Sequence, residues 1–168
     1  MSYVSNRVLK INVGFLLADG PGHSHETAFD VPQVRVSDDL TLDYVRGPLR
    51  LSRTKEGVLV QGKLETGIGG ECYRCLEPVT ENVTVEIEEL YVYPPRMDAE
   101  FVVEETAVLN VGPLLRDEVI IATARGLLCQ PDCRGLCPTC GTNLNQASCD
   151  CDTSAADPRL ATLRNLLK

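Results

Sequence analysis

The cysteines are where this sequence could do chemistry. Eight of them fall into four couples: Cys72-Tyr-Arg-Cys75, Cys129-x3-Cys133, Cys137-Pro-Thr-Cys140 and Cys149-Asp-Cys151. A tetrahedral zinc site takes four thiolates, two from one tight turn and two from another that folds opposite it. Cys137, Cys140, Cys149 and Cys151 make such a set within one short segment. Gly141, just after the second couple member, can take the positive φ that turns backbone N–H groups toward sulfur. The other four are less local, because Cys72 and Cys75 precede Cys129 by more than 50 positions. A metal joining them to Cys129 and Cys133 would clamp strands to a segment far along the chain. Spacing alone leaves open a swap in which Cys129 and Cys133 share an ion with Cys137 and Cys140. Two closed four-thiolate sites have no position for water or substrate, so the zinc ions expected here are structural.

Other uses of the thiols fit less well. Disulfides suit a small exported protein, and MSYVSNRVLK lacks the cationic start, apolar core and small-residue cleavage site of a secretory signal. A cytoplasmic setting with reduced thiols is the expectation. A thioredoxin-type couple wants a strand leading into a helix, yet Pro78 follows one CxxC and Gly141-Thr-Asn the other. Cys133-x3-Cys137-x2-Cys140 has the spacing of a radical iron–sulfur site, but the chain is too short for the barrel that carries one. His23 and His25, the only histidines, sit in GHSHE and read as a solvated loop. Glu86, Glu88 and Glu89 read as a solvated strand face, and Asp117 and Glu118 as the outer side of a helix. No phosphate-cradling glycine loop, Ser/His/Asp set or HExxH motif occurs, so nothing in the residues argues for an enzyme or a small-molecule substrate.

The formal charge is −8 and the pI about 4.8. Each zinc with four thiolates adds a net −2, taking the loaded chain to about −12. So acidic a protein does not coat phosphate backbones nonspecifically. Contact with RNA would need a local basic patch or a protein intermediary. Arg74 lies inside the first knuckle, Arg125 and Arg134 flank the cysteine segment, and Arg159 and Arg164 lie near the C-terminus. These five are the candidates for contact with RNA or a partner, with neutralisation of thiolates and nearby carboxylates as the alternative use.

The elements that must position these residues are mostly strands. Residues 7–17 begin with alternation, Leu9, Ile11 and Val13 against Val8, Lys10 and Asn12. Residues 18–26 read as a loop. LTLDYV (40–45) reads as a strand, Pro48 as a turn, and LRLS and VLVQGKLE as a hairpin about Lys55-Glu56-Gly57. In VTVEIEELYVY (83–93), Val83, Val85 and Ile87 share one face and Thr84, Glu86 and Glu88 the other. One packed and one wet face implies an antiparallel sheet. PLLRDEVIIATAR (113–125) reads as a helix, with Pro113 in its first turn, Leu115, Val119 and Ala122 inward and Gly126 closing it. Asp157 and Pro158 would start a short terminal helix with a Leu160, Leu163 and Leu167 stripe. No apolar run approaches the ~20 residues of a membrane helix.

The expected fold is therefore α+β: a mainly antiparallel β-sheet with one packing helix, a C-terminal zinc-ribbon-like element and a short terminal helix. Residues 1–126 would form the body and 127–168 the cysteine-rich segment. GECYRCLEPV, PLLRDEVIIATARGLLCQPDCRGLCPTCGTNLNQASCDC and DPRLATLRNLL together resemble the YceD-like family, the large ribosomal RNA subunit accumulation proteins. The resemblance runs from about Gly70 to the C-terminus and covers earlier residues only in strand character. It implies a non-enzymatic cytoplasmic (or plastid) factor that supports accumulation of large-subunit (23S) ribosomal RNA and ribosome biogenesis. The partner would be ribosomal RNA or a ribosome-assembly protein. Some family members keep the early pair and lack the later knuckle, so the second metal site is a feature of the fuller cysteine set. The runner-up reading is a thiol redox protein or redox-switched chaperone using its CxxC pairs, which low metal content and a reversible disulfide would reveal.

Overall fold

A computed structural model describes residues 6–151. The described chain divides into two compact units. One comprises residues 6–70 and 79–127; the other comprises 71–78 and 128–151.

The first unit is built on a four-stranded sheet in the order β2 (Ser24–Arg35), β3 (Thr41–Arg53), β4 (Gly57–Glu71), β5 (Pro78–Val92). Both β2/β3 and β3/β4 are antiparallel. A two-stranded antiparallel ribbon joins β1 (Lys10–Asn12) to β6 (Val108–Asn110), with Ile11 opposite Leu109. Two helices complete the unit, α1 (Gly14–Asp19) and α2 (Gly112–Ala122). The expected α+β architecture with a mainly antiparallel sheet is thus observed. The expected short terminal helix lies outside the described residues.

Alternation does what period-2 patterning requires. In β5, Val83, Val85, Ile87 and Tyr91 are buried while Thr84, Glu86 and Glu88 face solvent. They join Leu42, Leu49, Leu51, Val58 and Leu64 in one core with Leu9, Leu16, Leu109 and Leu115. The outward face of the sheet carries charges paired across strands. Arg46 bonds Asp30 at 2.9 Å and Lys63 bonds Glu86 at 3.2 Å. Exposed pairs of this kind contribute little stability.

Five local expectations are corrected. Residues 7–17 are not one strand: a 3-10 turn (Asn6–Leu9), β1 and α1 divide them. The Asn12 side-chain oxygen accepts the Gly14 N–H at 3.0 Å, an Asx turn that ends the strand and frees Val13 to open the helix. The inward phase of Leu9 and Val13 survives, both being buried. The 18–26 loop ends early, because β2 starts at Ser24 and His25 pairs with Leu51. Pro48 does not close a turn. The β3 strand runs through it, with Arg46 opposite Glu65 and Leu49 opposite Gly62 on either side. Gly47 absorbs the irregularity at φ 141°, and a Cβ there would sit 2.2 Å from the Lys63 carbonyl oxygen. In α2, Leu114, Leu115 and Val119 are buried but Ala122 is exposed, since the helix ends there and the chain leaves it through Thr123. Asp117 and Glu118 are partly covered rather than fully outward.

The β3–β4 hairpin turns as its Lys55-Glu56-Gly57 sequence suggests. The Thr54 hydroxyl accepts the N–H groups of Glu56 (3.3 Å) and Gly57 (3.1 Å). The β2–β3 turn is tied to α2 by Arg116, which donates Nε to Asp39 Oδ1 at 3.1 Å and a second hydrogen bond from Nη2 to Oδ2. This fork holds the Asp39 carboxyl well below the usual carboxylate range, with the Ser37 hydroxyl assisting.

Candidate metal centres

All eight cysteines belong to the second unit, and they gather as two tetrads. Cys72, Cys75, Cys129 and Cys133 form one; Cys137, Cys140, Cys149 and Cys151 form the other. Within each tetrad the sulfurs lie within 4.8 Å of one another. The swap that spacing left open is not the arrangement observed.

The two CxxC turns are built alike. The Leu76 N–H donates to the Cys72 carbonyl at 2.8 Å, and the Gly141 N–H donates to the Cys137 carbonyl at 2.9 Å. The Cys72 N–H reaches the Glu77 carbonyl and the Cys137 N–H the Thr142 carbonyl, each at 2.8 Å. Both turns need positive φ just after the second cysteine. Gly141 supplies it at 74° and Leu76 at 61°. Leu136 and Asn143 form an antiparallel bridge flanking the second turn, which makes this stretch a ribbon-like hairpin.

The separations suit an ion rather than disulfides. Cys72 and Cys133 sulfurs are 3.8 Å apart and Cys75 and Cys129 sulfurs 3.6 Å. A tetrahedron with metal–sulfur bonds of about 2.3 Å has edges of about 3.8 Å, whereas a disulfide brings its sulfurs to about 2.05 Å. The four thiols of each tetrad can therefore hold a metal ion as they stand.

Titration divides each tetrad in the same way. Burial pushes the Cys72 thiol up, but the backbone N–H groups of Cys129, Cys75 and Arg74 outweigh it and bring its pKa to about 6. Burial also opposes Cys133, which the Asn145 amide and the Gly135 N–H nevertheless lower. Desolvation and the neighbouring Cys133, Cys75 and Cys72 push Cys129 up to about 12. In the second tetrad the Thr142 hydroxyl, 3.1 Å from the sulfur, leads the lowering of Cys140 to about 6. Its neighbour Cys140 leads the raising of Cys151 to about 12. Two thiols in each cluster ionise readily, and their charge holds back the other two. A cation among the four removes that repulsion.

A supporting shell holds the sulfurs, and the sequence pattern alone did not flag it. Asn145 donates Nδ2 to the Cys133 sulfur at 3.2 Å, while its Oδ1 accepts the Arg134 N–H at 2.8 Å. The Glu77 carboxylate accepts from Asn143 Nδ2 at 3.2 Å and Gln146 Nε2 at 2.9 Å. Such outer groups orient metal ligands. Their one trace in the sequence is the run of amides, Asn143, Asn145 and Gln146, just after a knuckle.

The five candidate arginines are distributed along the chain. Arg74 and Arg134 belong to the cysteine unit; Arg125 belongs to the other unit; Arg159 and Arg164 lie outside the described residues. Arg74 donates Nη1 to the Cys133 carbonyl at 3.0 Å and Nε to the Tyr73 hydroxyl at 3.1 Å, so it braces the first tetrad. His23 and His25 join neither tetrad; His23 Nδ1 lies 3.1 Å from the Gly20 carbonyl and His25 packs edge-on against Phe15.

The family described as "Large ribosomal RNA subunit accumulation protein YceD" matches residues 60–167, more than half of the chain and all eight cysteines. The chain belongs to the YceD family. An uncharacterized protein of Mycobacterium tuberculosis is 40% identical over 102 residues, 57% of this chain and 49% of the relative. A counterpart in Mycobacterium leprae is 34% identical over 103 residues, 57% of this chain and 47% of the relative. The "Large ribosomal RNA subunit accumulation protein YCED homolog 1, chloroplastic" of Arabidopsis thaliana is 32% identical over 62 residues, 37% of this chain and 19% of that protein. The chain spans about half the length of the mycobacterial relatives it matches. No solved structure matches it. Among the described residues, no helix is long and apolar enough to cross a membrane.

Proposed function

We propose that this chain is a non-enzymatic, cytoplasmic factor that supports accumulation of large-subunit (23S) ribosomal RNA and ribosome biogenesis, built on two structural zinc ions. The observation that carries the reading is the YceD match across residues 60–167, which spans both tetrads. Cys72, Cys75, Cys129 and Cys133 would hold one ion and Cys137, Cys140, Cys149 and Cys151 the other. Soft thiolates in sets of four favour zinc among common divalent ions, and four protein ligands leave no open coordination position for catalysis. The partner is ribosomal RNA or a ribosome-assembly protein, with Arg74, Arg125, Arg134, Arg159 and Arg164 as contact candidates. The grouping of each CxxC with a second couple speaks against a free-standing redox pair.

The test is genetic and chemical together. Cells depleted of the protein are expected to show a lower ratio of large- to small-subunit ribosomal RNA, restored by the wild-type chain. Metal analysis after gentle isolation under reducing conditions is expected to give two zinc ions per chain. An unchanged ribosomal RNA ratio refutes the cellular role. A metal-free, fully folded chain whose CxxC couples cycle through disulfides would replace the scaffold with a redox protein.

A further inference from the structure

The two CxxC turns share a backbone but differ in the residue at its left-handed position. The second turn has Gly141 at its left-handed residue; the first has Leu76, at φ 61°. A residue with a Cβ meets steric resistance there, and glycine does not. Packing does not explain the choice, because the Leu76 side chain is 57% exposed. Three residues earlier in the same turn, Tyr73 is 51% exposed. Its ring is held by Arg74, whose Nε donates to the Tyr73 hydroxyl and whose guanidinium carbon lies 5.5 Å from the ring centroid. Arg74 is itself fixed to the Cys133 carbonyl. One short turn thus presents two large apolar side chains to solvent, one in an unfavourable backbone conformation and the other pre-positioned. Strain retained without a packing reason marks a functional contact.

The charge around this turn selects the partner. The described residues of the cysteine unit carry two arginines, Arg74 and Arg134, against Glu71, Glu77, Asp132 and Asp150. That gives about −2 before metal and about −6 with both tetrads loaded, each four-thiolate site adding a net −2. A phosphate backbone would be repelled, whereas a lysine- and arginine-rich protein segment would be attracted.

We propose that Tyr73 and Leu76 anchor a docking surface for a basic protein segment. Resting on the ribosomal role above, this makes the link to ribosomal RNA indirect: the chain holds a basic protein that itself contacts the RNA. Tyr73 and Leu76 supply the apolar centre of the contact, and the loaded thiolate clusters supply the surrounding negative field.

The experiment uses the metal-loaded full chain. Purified large-subunit ribosomal proteins, one at a time, and protein-free large-subunit ribosomal RNA are titrated against the wild type, Leu76→Gly and Tyr73→Ser. The expected result is salt-sensitive binding of at least one basic protein, weakened about tenfold by either substitution. Leu76→Gly should keep both metals and hold or raise the Tm, since it removes strain while it weakens binding. Three results overturn the proposal: no basic protein binds, Leu76→Gly binds as tightly as wild type, or its Tm falls. Loss of RNA binding in the variants with protein binding intact would assign the surface to RNA instead. None of these touches the depletion phenotype, so the ribosomal role stands or falls separately.

Discussion

Breaking the first tetrad should cost the protein more than breaking the second, and the difference can be worked from chain connectivity. Cys75 and Cys129 are 54 positions apart, and the loop between them contains all of β5 together with β6 and α2. An ion holding both restricts the unfolded chain as a cross-link does. The loop-entropy relation gives about 14 cal/mol/K for a 54-residue loop, or about 4 kcal/mol at 25 °C. Cys140 and Cys149 are 9 positions apart, which gives about 2.5 kcal/mol by the same relation. The difference, about 1.5 kcal/mol, corresponds to a Tm gap of roughly 3–9 °C for domains of this size. Cys75→Ser and Cys149→Ser would be compared under reducing conditions with zinc supplied. Each is expected to lose one of two zinc equivalents. Thermal melts followed by strand circular dichroism should show the larger drop for Cys75→Ser, whose lost constraint encloses sheet elements. Cys149→Ser should show the smaller drop. Equal drops, or an unchanged metal count in either variant, would refute the reasoning.

Three further outcomes are expected. Asp39→Asn should lower the Tm at neutral pH and flatten the acid side of the stability profile. The folded pKa of Asp39 is depressed, so its contribution is present above the unfolded value of about 4 and is lost as pH falls through the folded one; pH-dependent melts check it. Leu115→Ala, at a fully buried site on α2, should destabilise by about 2–5 kcal/mol in urea titrations, whereas Ile121→Ala on the exposed side should change little. Gly57→Ala should destabilise clearly, because a Cβ there would lie 2.0 Å from the Tyr91 carbonyl oxygen; Gly69→Ala, with nothing within 4 Å, is the control in the same titration.

Much of the sheet was legible because alternation is a local property. The phase of Val83, Val85 and Ile87 survives whatever the strand pairs with, and the Lys55-Glu56-Gly57 turn is held by the adjoining Thr54. Breaks were harder to read. Asn12 ends a strand through a side-chain bond to Gly14 that competes with the alternating pattern around it. Pro48 reads as a stop, and only the unusual φ of Gly47 lets β3 continue past it.

The sequence by itself determined the two CxxC turns, since a turn that closes within five residues carries its hydrogen bonds in its own backbone. It also determined that Cys137, Cys140, Cys149 and Cys151 lie near one another, because so few residues separate them. Tertiary structure alone decided that Cys72 and Cys75 meet Cys129 and Cys133. The intervening residues fold as strands and a helix, and the distance those elements span, rather than the number of residues, sets where the chain returns. The Asn145 amide on the Cys133 sulfur belongs to the same class, since it owes its role to a neighbour that the order of residues does not place.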